Sequence, residues 1–94
     1  MTTPTLLKDP AAELDYGFDW ADRGWLAAGE TVLTAVWTIP AGLTLITSQI
    51  VDNTKTVVWI GGGTVGTDYT ITCRITTSGG RTDERSMVLR VRER

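Results

Sequence analysis

A chain of 94 residues, 41% hydrophobic and 21% charged with a net charge of −2, has the length of one domain and the composition of a folded one. It contains no His, the side chain most used for acid-base work near neutral pH and the commonest metal ligand, and its one Cys cannot close an intrachain disulfide. With a pI of about 4.9 these features speak against a multidomain enzyme, a His-based metal site, a disulfide scaffold and a basic nucleic-acid-binding surface.

Seventeen Thr, together with Val, Ile, Trp and Tyr, favour the pleated, half-buried surface of a sheet. No secretory signal is expected, because Lys8 is followed by Asp9, Pro10, Glu13 and Asp15 rather than by an apolar run, and synthesis in the cytosol is the corresponding expectation. A membrane helix is not expected either, since the longest mainly apolar stretch, Thr56 to Ile60, is far short of the roughly 20 residues needed.

The first expected strand is Leu14 to Trp20. Thr31 to Ile39 is the strongest: Leu33, Ala35, Trp37 and Ile39 alternate with Val32, Thr34, Val36 and Thr38, and Trp37 is expected in the core. Pro40-Ala41-Gly42 ends it, Leu43 to Asp52 resumes an extended pattern, and Asp52-Asn53 turns. Thr54 to Ile60 comes next, with either Thr56, Val58 and Ile60 or Lys55, Val57 and Trp59 inside. Beyond Gly61 to Gly66, Asp68 to Thr77 alternates apolar Tyr69, Ile71, Cys73 and Ile75 with polar neighbours. Ser78-Gly79-Gly80 signals a hairpin into a last strand with Met87, Leu89 and Val91 inside and Arg90 and Arg92 outside.

This spacing predicts an all-β fold, an immunoglobulin-like β-sandwich of about seven antiparallel strands with an extended N-terminal arm. The arm is expected over residues 1–13, with 1–7 disordered until bound, and the sandwich over 14–94. Tyr69, behind Gly66-Thr67-Asp68, is placed as a tyrosine corner, and Cys73 reads as a small buried hydrophobe.

Two motifs invite a sharper chemistry. Gly61-Gly62-Gly63-Thr64-Val65-Gly66 satisfies G-x-G-x-x-G, but a dinucleotide site needs a helix N-terminus behind the loop, and Asp68 to Ile75 reads as a strand. Asp15, Asp19 and Asp22, with Asp9 and Glu13 nearby, lack the alternating oxygen ligands of a Ca²⁺ loop and read as a solvated or partner-facing acidic edge. Neither catalytic nor metal residues are assigned.

Charge is divided along the chain: residues 1–30 sum to −4 and residues 73–94 to +3. Either the first and last strands neutralise each other within one molecule, or an acidic face of one copy meets a basic face of the next in a head-to-tail ring. The four Trp exceed what a small core takes. Trp20, Trp25 and Trp59 suit a protein interface or, alternatively, the stacking platform of a small carbohydrate-binding module.

The order and spacing of several motifs carry a family resemblance. They are Lys8-Asp9-Pro10, Leu14-Asp15-Tyr16-Gly17-Phe18-Asp19-Trp20, Trp25-Leu26, Trp37-Thr38-Ile39-Pro40-Ala41-Gly42-Leu43, Trp59-Ile60-Gly61-Gly62-Gly63-Thr64 and Thr76-Thr77-Ser78-Gly79-Gly80-Arg81-Thr82-Asp83. From about Lys8 to Val91 the chain resembles small structural proteins of tailed phages and prophages described as fibre-tail adaptors. Where that family usually has Ser-Gly-Gly, this chain has Gly61-Gly62-Gly63, which loosens the turn.

The resemblance implies an immunoglobulin-like sandwich in the virion tail, made in the host bacterial cytoplasm and joining tail or baseplate to fibre without catalysis or cofactor. Its implied partners are other tail, baseplate or fibre proteins and further copies of itself, with no nucleic acid and no membrane. On the residues, the contacts are expected through Asp15, Tyr16, Asp19, Trp20 and Trp25 of the N-terminal segment and Arg85, Arg90 and Arg92 of the last strand. Removal of residues 1–25 is expected to leave a folded core.

Overall fold

The computed structural model describes residues 5–21 and 25–93. Seven strands run in order: β1 (Thr5–Lys8), β2 (Leu14–Asp19), β3 (Val32–Thr38), β4 (Leu43–Val51), β5 (Lys55–Gly62), β6 (Asp68–Thr77) and β7 (Thr82–Val91). They form a four-stranded sheet, β1-β7-β6-β3, and a three-stranded sheet, β2-β5-β4. The described residues contain no helix.

Six of these strands lie where the alternation of apolar and polar residues puts them. The seventh, β1, has no counterpart in that alternation: Thr5 to Leu7, expected to be disordered, pair with Val88 to Arg90 of β7. That pairing is parallel, which corrects the expectation of antiparallel strands throughout. Residues 1–4 of the expected arm lie outside the described residues.

The core fills the space between the sheets. Tyr16, Leu43, Val58 and Ile60 from one sheet meet Tyr69, Ile71, Met87, Leu89 and Val91 from the other. A second cluster joins Trp20, Val32, Cys73 and Ile75. Together they supply the burial that a small, disulfide-free domain needs. The ambiguity over β5 is resolved, since Thr56, Val58 and Ile60 are wholly buried and Trp59 is 38% exposed. Cys73 is buried, and its thiol lies 3.5 Å from Thr56 Oγ1.

One phase error has a local cause. Simple alternation groups Leu33 with Ala35 and Trp37, yet Leu33 is exposed while Val32 is buried. A register shift between Val32 and Thr34 inserts a residue, so the inward series runs Val32, then Ala35 and Trp37. Trp37 is partly buried between both core clusters and stacks on Phe18, with ring centroids 5.8 Å apart.

The glycine-rich segment is the end of β5 and a turn into a strand. Gly63 has φ +104°, and a Cβ there would lie 2.7 Å from Val91 Cγ2. β6 comes directly after it, so no helix N-terminus stands behind the loop to receive a phosphate. Tyr69, at the start of β6, accepts a hydrogen bond at 3.0 Å from the Thr64 backbone N–H.

Candidate interaction surfaces

The residues expected to form an interface fall into three groups. Tyr16 and Trp20 are core residues, 8% and 0% exposed, which corrects the expectation that they form interface contacts. The reason is the alternation within β2: Leu14, Tyr16 and Phe18 turn toward the four-stranded sheet, while Asp15, Gly17 and Asp19 face out. Trp20 continues the inward series, and its indole N–H donates to Thr56 Oγ1 at 3.0 Å. Arg85, expected as an interface contact, is paired with the inward-facing Cys73 and packs its guanidinium 4.4 Å from the Trp20 ring centroid. It donates to the Asp19 carbonyl at 3.3 Å, which fastens β7 to the end of β2.

Trp25 is half-buried, edge-on to Trp20 at 5.6 Å. The Arg81 guanidinium lies 4.3 Å from the Trp25 ring centroid. Arg81 also donates to the Trp25 carbonyl at 2.6 Å and forms a two-pronged pair with Glu30. Glu30 accepts in addition from Thr77 Oγ1 and from the Ala27 N–H. These donors hold the Glu30 carboxyl down at about 2, the Arg81 hydrogen bond contributing most. The knot ties the segment before β3 to the β6–β7 hairpin, and its shallow open cleft is lined by Ala27, Ala28, Gly29, Ser78 and Gly79 beside the ion pair.

Arg90 and Arg92 are exposed, but neither is an unpaired charge. Arg90 makes a two-pronged pair with Asp68 at 3.1 and 3.2 Å, and Arg92 approaches the same carboxylate at 3.9 Å. The Asp68 carboxyl is held below its ordinary range by these contacts, Arg90 first. With Arg74 and Glu84 at 3.8 Å, four arginines of the basic segment, Arg74, Arg81, Arg90 and Arg92, are already matched by carboxylates of their own molecule. Asp22 and Arg23 lie outside the described residues. Among those described, Asp15 and Asp19 have no ion pair; Asp15 stands opposite Trp59 and Asp19 opposite Lys55 on the outer face of the three-stranded sheet.

Lys8 is the residue that sequence reasoning passes over. It is wholly buried, and its ammonium donates to the carbonyls of Asp9 at 3.0 Å, Ala12 at 2.7 Å and Gly62 at 2.6 Å. Burial lowers its pKa, with Asp9 and Glu13 acting against that shift. All three protons find acceptors, so a cation can sit inside and clamp β1 to the end of β5.

The fold also sorts charge by side. β1 and β2, joined through residues 9–13, form one flank and carry Asp9, Glu13, Asp15 and Asp19. β3 and β4, the outermost strands of their sheets, form the other. Residues 31–51, which make up that flank, contain no charged side chain, the longest such run in the chain. Leu33, Val36, Leu45 and Ile46 are exposed there. This signal is legible in the sequence as an absence of charge rather than as a motif.

The geometry leaves the sugar-stacking alternative without support. Trp20 is enclosed, Trp25 is covered by Trp20 and Arg81, and Trp59 stands alone as an exposed indole among the described residues. No three His, Cys, Asp or Glu come together to hold a metal among the described residues.

No curated protein matches the sequence. A family model described as podophage GP4 fiber-tail adaptor protein gp77 matches residues 8–90, from the buried lysine through to the arginine of β7 that pairs with Asp68, and the chain belongs to that family.

Proposed function

We propose that this protein is a non-enzymatic structural part of the virion tail that joins tail or baseplate to fibre through its two flanks. The observation that carries this reading is the sorting of charge: an acidic flank at β1 and β2 stands opposite an uncharged flank at β3 and β4. An adaptor has to present two surfaces of different character, and complementary charge selects partners at one of them. Asp15 and Asp19, with the neighbouring Trp59, are the contact residues proposed for the acidic flank; Arg90 and Arg92, held by Asp68, contribute at its margin. Tyr16, Trp20, Trp25 and Arg85 act by holding β2 and the segment after it in place.

An immunoglobulin-like sandwich fits the same reading. The order β2-β5-β4 against β1-β7-β6-β3 and the Tyr69 hydrogen bond to a backbone group a few residues upstream both support it. Synthesis in the host cytoplasm followed by assembly into the tail belongs to the same proposal; among the described residues no helix is long and apolar enough to cross a membrane.

The test is add-back of variants to tails that lack the protein. Asp15→Lys with Asp19→Lys is expected to lose one neighbour, tail or fibre, while keeping the other and an unchanged fold. If both neighbours bind as before, the acidic flank is not a contact surface.

A further inference from the structure

Two guanidiniums of this chain lie against two of its indoles. Arg81 is 4.3 Å from the Trp25 ring centroid and pairs at the same time with Glu30, while Arg85 is 4.4 Å from the Trp20 centroid. The first is an assembly of three parts: indole, guanidinium and carboxylate. The outer face of the three-stranded sheet carries the indole and the carboxylate without the guanidinium. Trp59, 38% exposed on the central strand β5, stands directly across from Asp15 on β2, so the two side chains leave the sheet side by side. At Gly61, the next position of β5 on that face, Glu13 Oε2 lies 3.5 Å from where a Cβ would stand, which brings a second acid to the same end of the face. Gly17, two residues after Asp15, adds no side chain; a Cβ there would lie 2.5 Å from the Thr56 carbonyl oxygen, so the opening beside Trp59 is built into the backbone. Among the described residues neither Asp15 nor Glu13 is in an ion pair, and no cation lies over Trp59.

We infer that the missing part is an arginine of the protein that docks on the acidic flank, its guanidinium lying on the Trp59 ring and forking onto Asp15 with Glu13 beside it. The inference deepens the adaptor reading, on which it rests, by naming the chemistry that the acidic flank receives.

A guanidinium fits this place better than an ammonium. It is planar, stacks on an aromatic face and meets a carboxylate with two parallel N–H donors. A different protein is its source, because every described arginine of this chain is taken at home: Arg74 by Glu84, Arg81 by Glu30, Arg90 and Arg92 by Asp68, and Arg85 by the Trp20 ring. An exposed indole beside a carboxylate that awaits its cation has the composition of an interface hot spot, where Trp and Arg are enriched.

Particles assembled without the protein, to which the purified chain is added back over a concentration series, test this. Asp15→Asn and Trp59→Leu, both outward on the sheet, are each expected to keep the fold and to raise the concentration that half-restores fibres roughly tenfold, the scale of a lost cation–π contact or charge-assisted hydrogen bond. A photo-crosslinking benzophenone residue in place of Val57, next to Trp59 on the central strand and away from both edges, reads the occupant. After irradiation of complete particles, the expected adduct is a peptide of another protein with an arginine at or beside the attachment point. An unchanged half-restoring concentration for either variant overturns the inference. So does the absence of an adduct, or one on a second copy of this chain or on a segment without arginine. If a variant does not fold, the adduct decides the matter. An adduct without arginine, on particles that need the chain for their fibres, overturns the site alone; an arginine adduct, with fibres held in the chain's absence, overturns the adaptor reading alone.

Discussion

Lys8 shows how a charge stabilises the inside of a small sandwich. Its three carbonyl partners come from the turn after β1 and from the end of β5, so replacing the ammonium orphans acceptors on two elements. Lys8→Met keeps the apolar stem and removes the donors. It is expected to cost about 2 kcal/mol, the scale of hydrogen bonds to a charged group. Thermal unfolding should show a midpoint lower by roughly 8–16 °C; an unchanged midpoint would mean the clamp contributes nothing.

Glu30 makes a pH prediction. Its folded carboxyl titrates at about 2 against 4.5 as the ordinary value, so the unfolded chain binds the proton first. The stabilisation is therefore complete above about pH 4.5 and is lost as pH falls toward 2. Asp68, also depressed, acts in the same direction. The stability difference between the unmodified chain and Glu30→Gln should be constant near neutral pH and shrink across that window. A difference that stays constant down to pH 2 would contradict the assignment.

Residue-scale legibility is uneven for physical reasons. The alternation Leu14, Tyr16, Phe18, Trp20 is visible in the sequence, but Asp15 and Asp19 between them resemble an acidic arm until β5 is known to lie alongside. Once Trp20 is seen between Thr56 and Arg85, the outcome of Trp20→Ala changes from lost binding to lost fold. A cost of about 3–5 kcal/mol is expected, a large share of the roughly 5–15 kcal/mol that holds such a domain together. Retained two-state unfolding at near-normal stability would refute the core placement.

At the scale of elements, strands with clean alternation are legible almost to the residue: β6 spans Asp68–Thr77, the bounds its alternation predicts. Three things are not legible in that way. β1 is four residues, too short to carry a period, and its pairing with β7 is decided by the chain's return at the other end. The shifts in β3 and β4 each insert a residue that flips the face of the residues after it, and nothing in Val32-Leu33-Thr34 announces one. The absence of charge over 31–51 gains meaning only when β3 and β4 prove to be the two edges on one flank.

The glycine turn behaves as an element too. Gly63 combines a positive φ with close approach to Val91, so Gly63→Ala meets both backbone strain and a clash. It should cost about 2–3 kcal/mol, whereas Gly66→Ala, with positive φ and open space around it, should cost less. Denaturant melts of the two variants compare these directly, and equal losses would assign the whole effect to the backbone.

For the molecule as a whole, the strands at its N-terminal end are structural rather than an appendage. Removing residues 1–25 would take β1 and β2 from the two sheets, Trp20 from the core and the Lys8 clamp with them. The expectation of a folded remnant is therefore replaced by one of unfolding, visible as loss of cooperative melting; a cooperative transition in the truncated chain would reverse that conclusion. The arginines that suggest a basic docking face are largely matched at home by Glu30 and Asp68, which makes the acidic flank and the uncharged flank the surfaces left for neighbours.

The central claim, that this protein joins fibre to tail, is tested most directly by electron microscopy of particles assembled without it. The account predicts tails that lack fibres and regain them when the purified chain is added back. Particles that carry their fibres in its absence would contradict it.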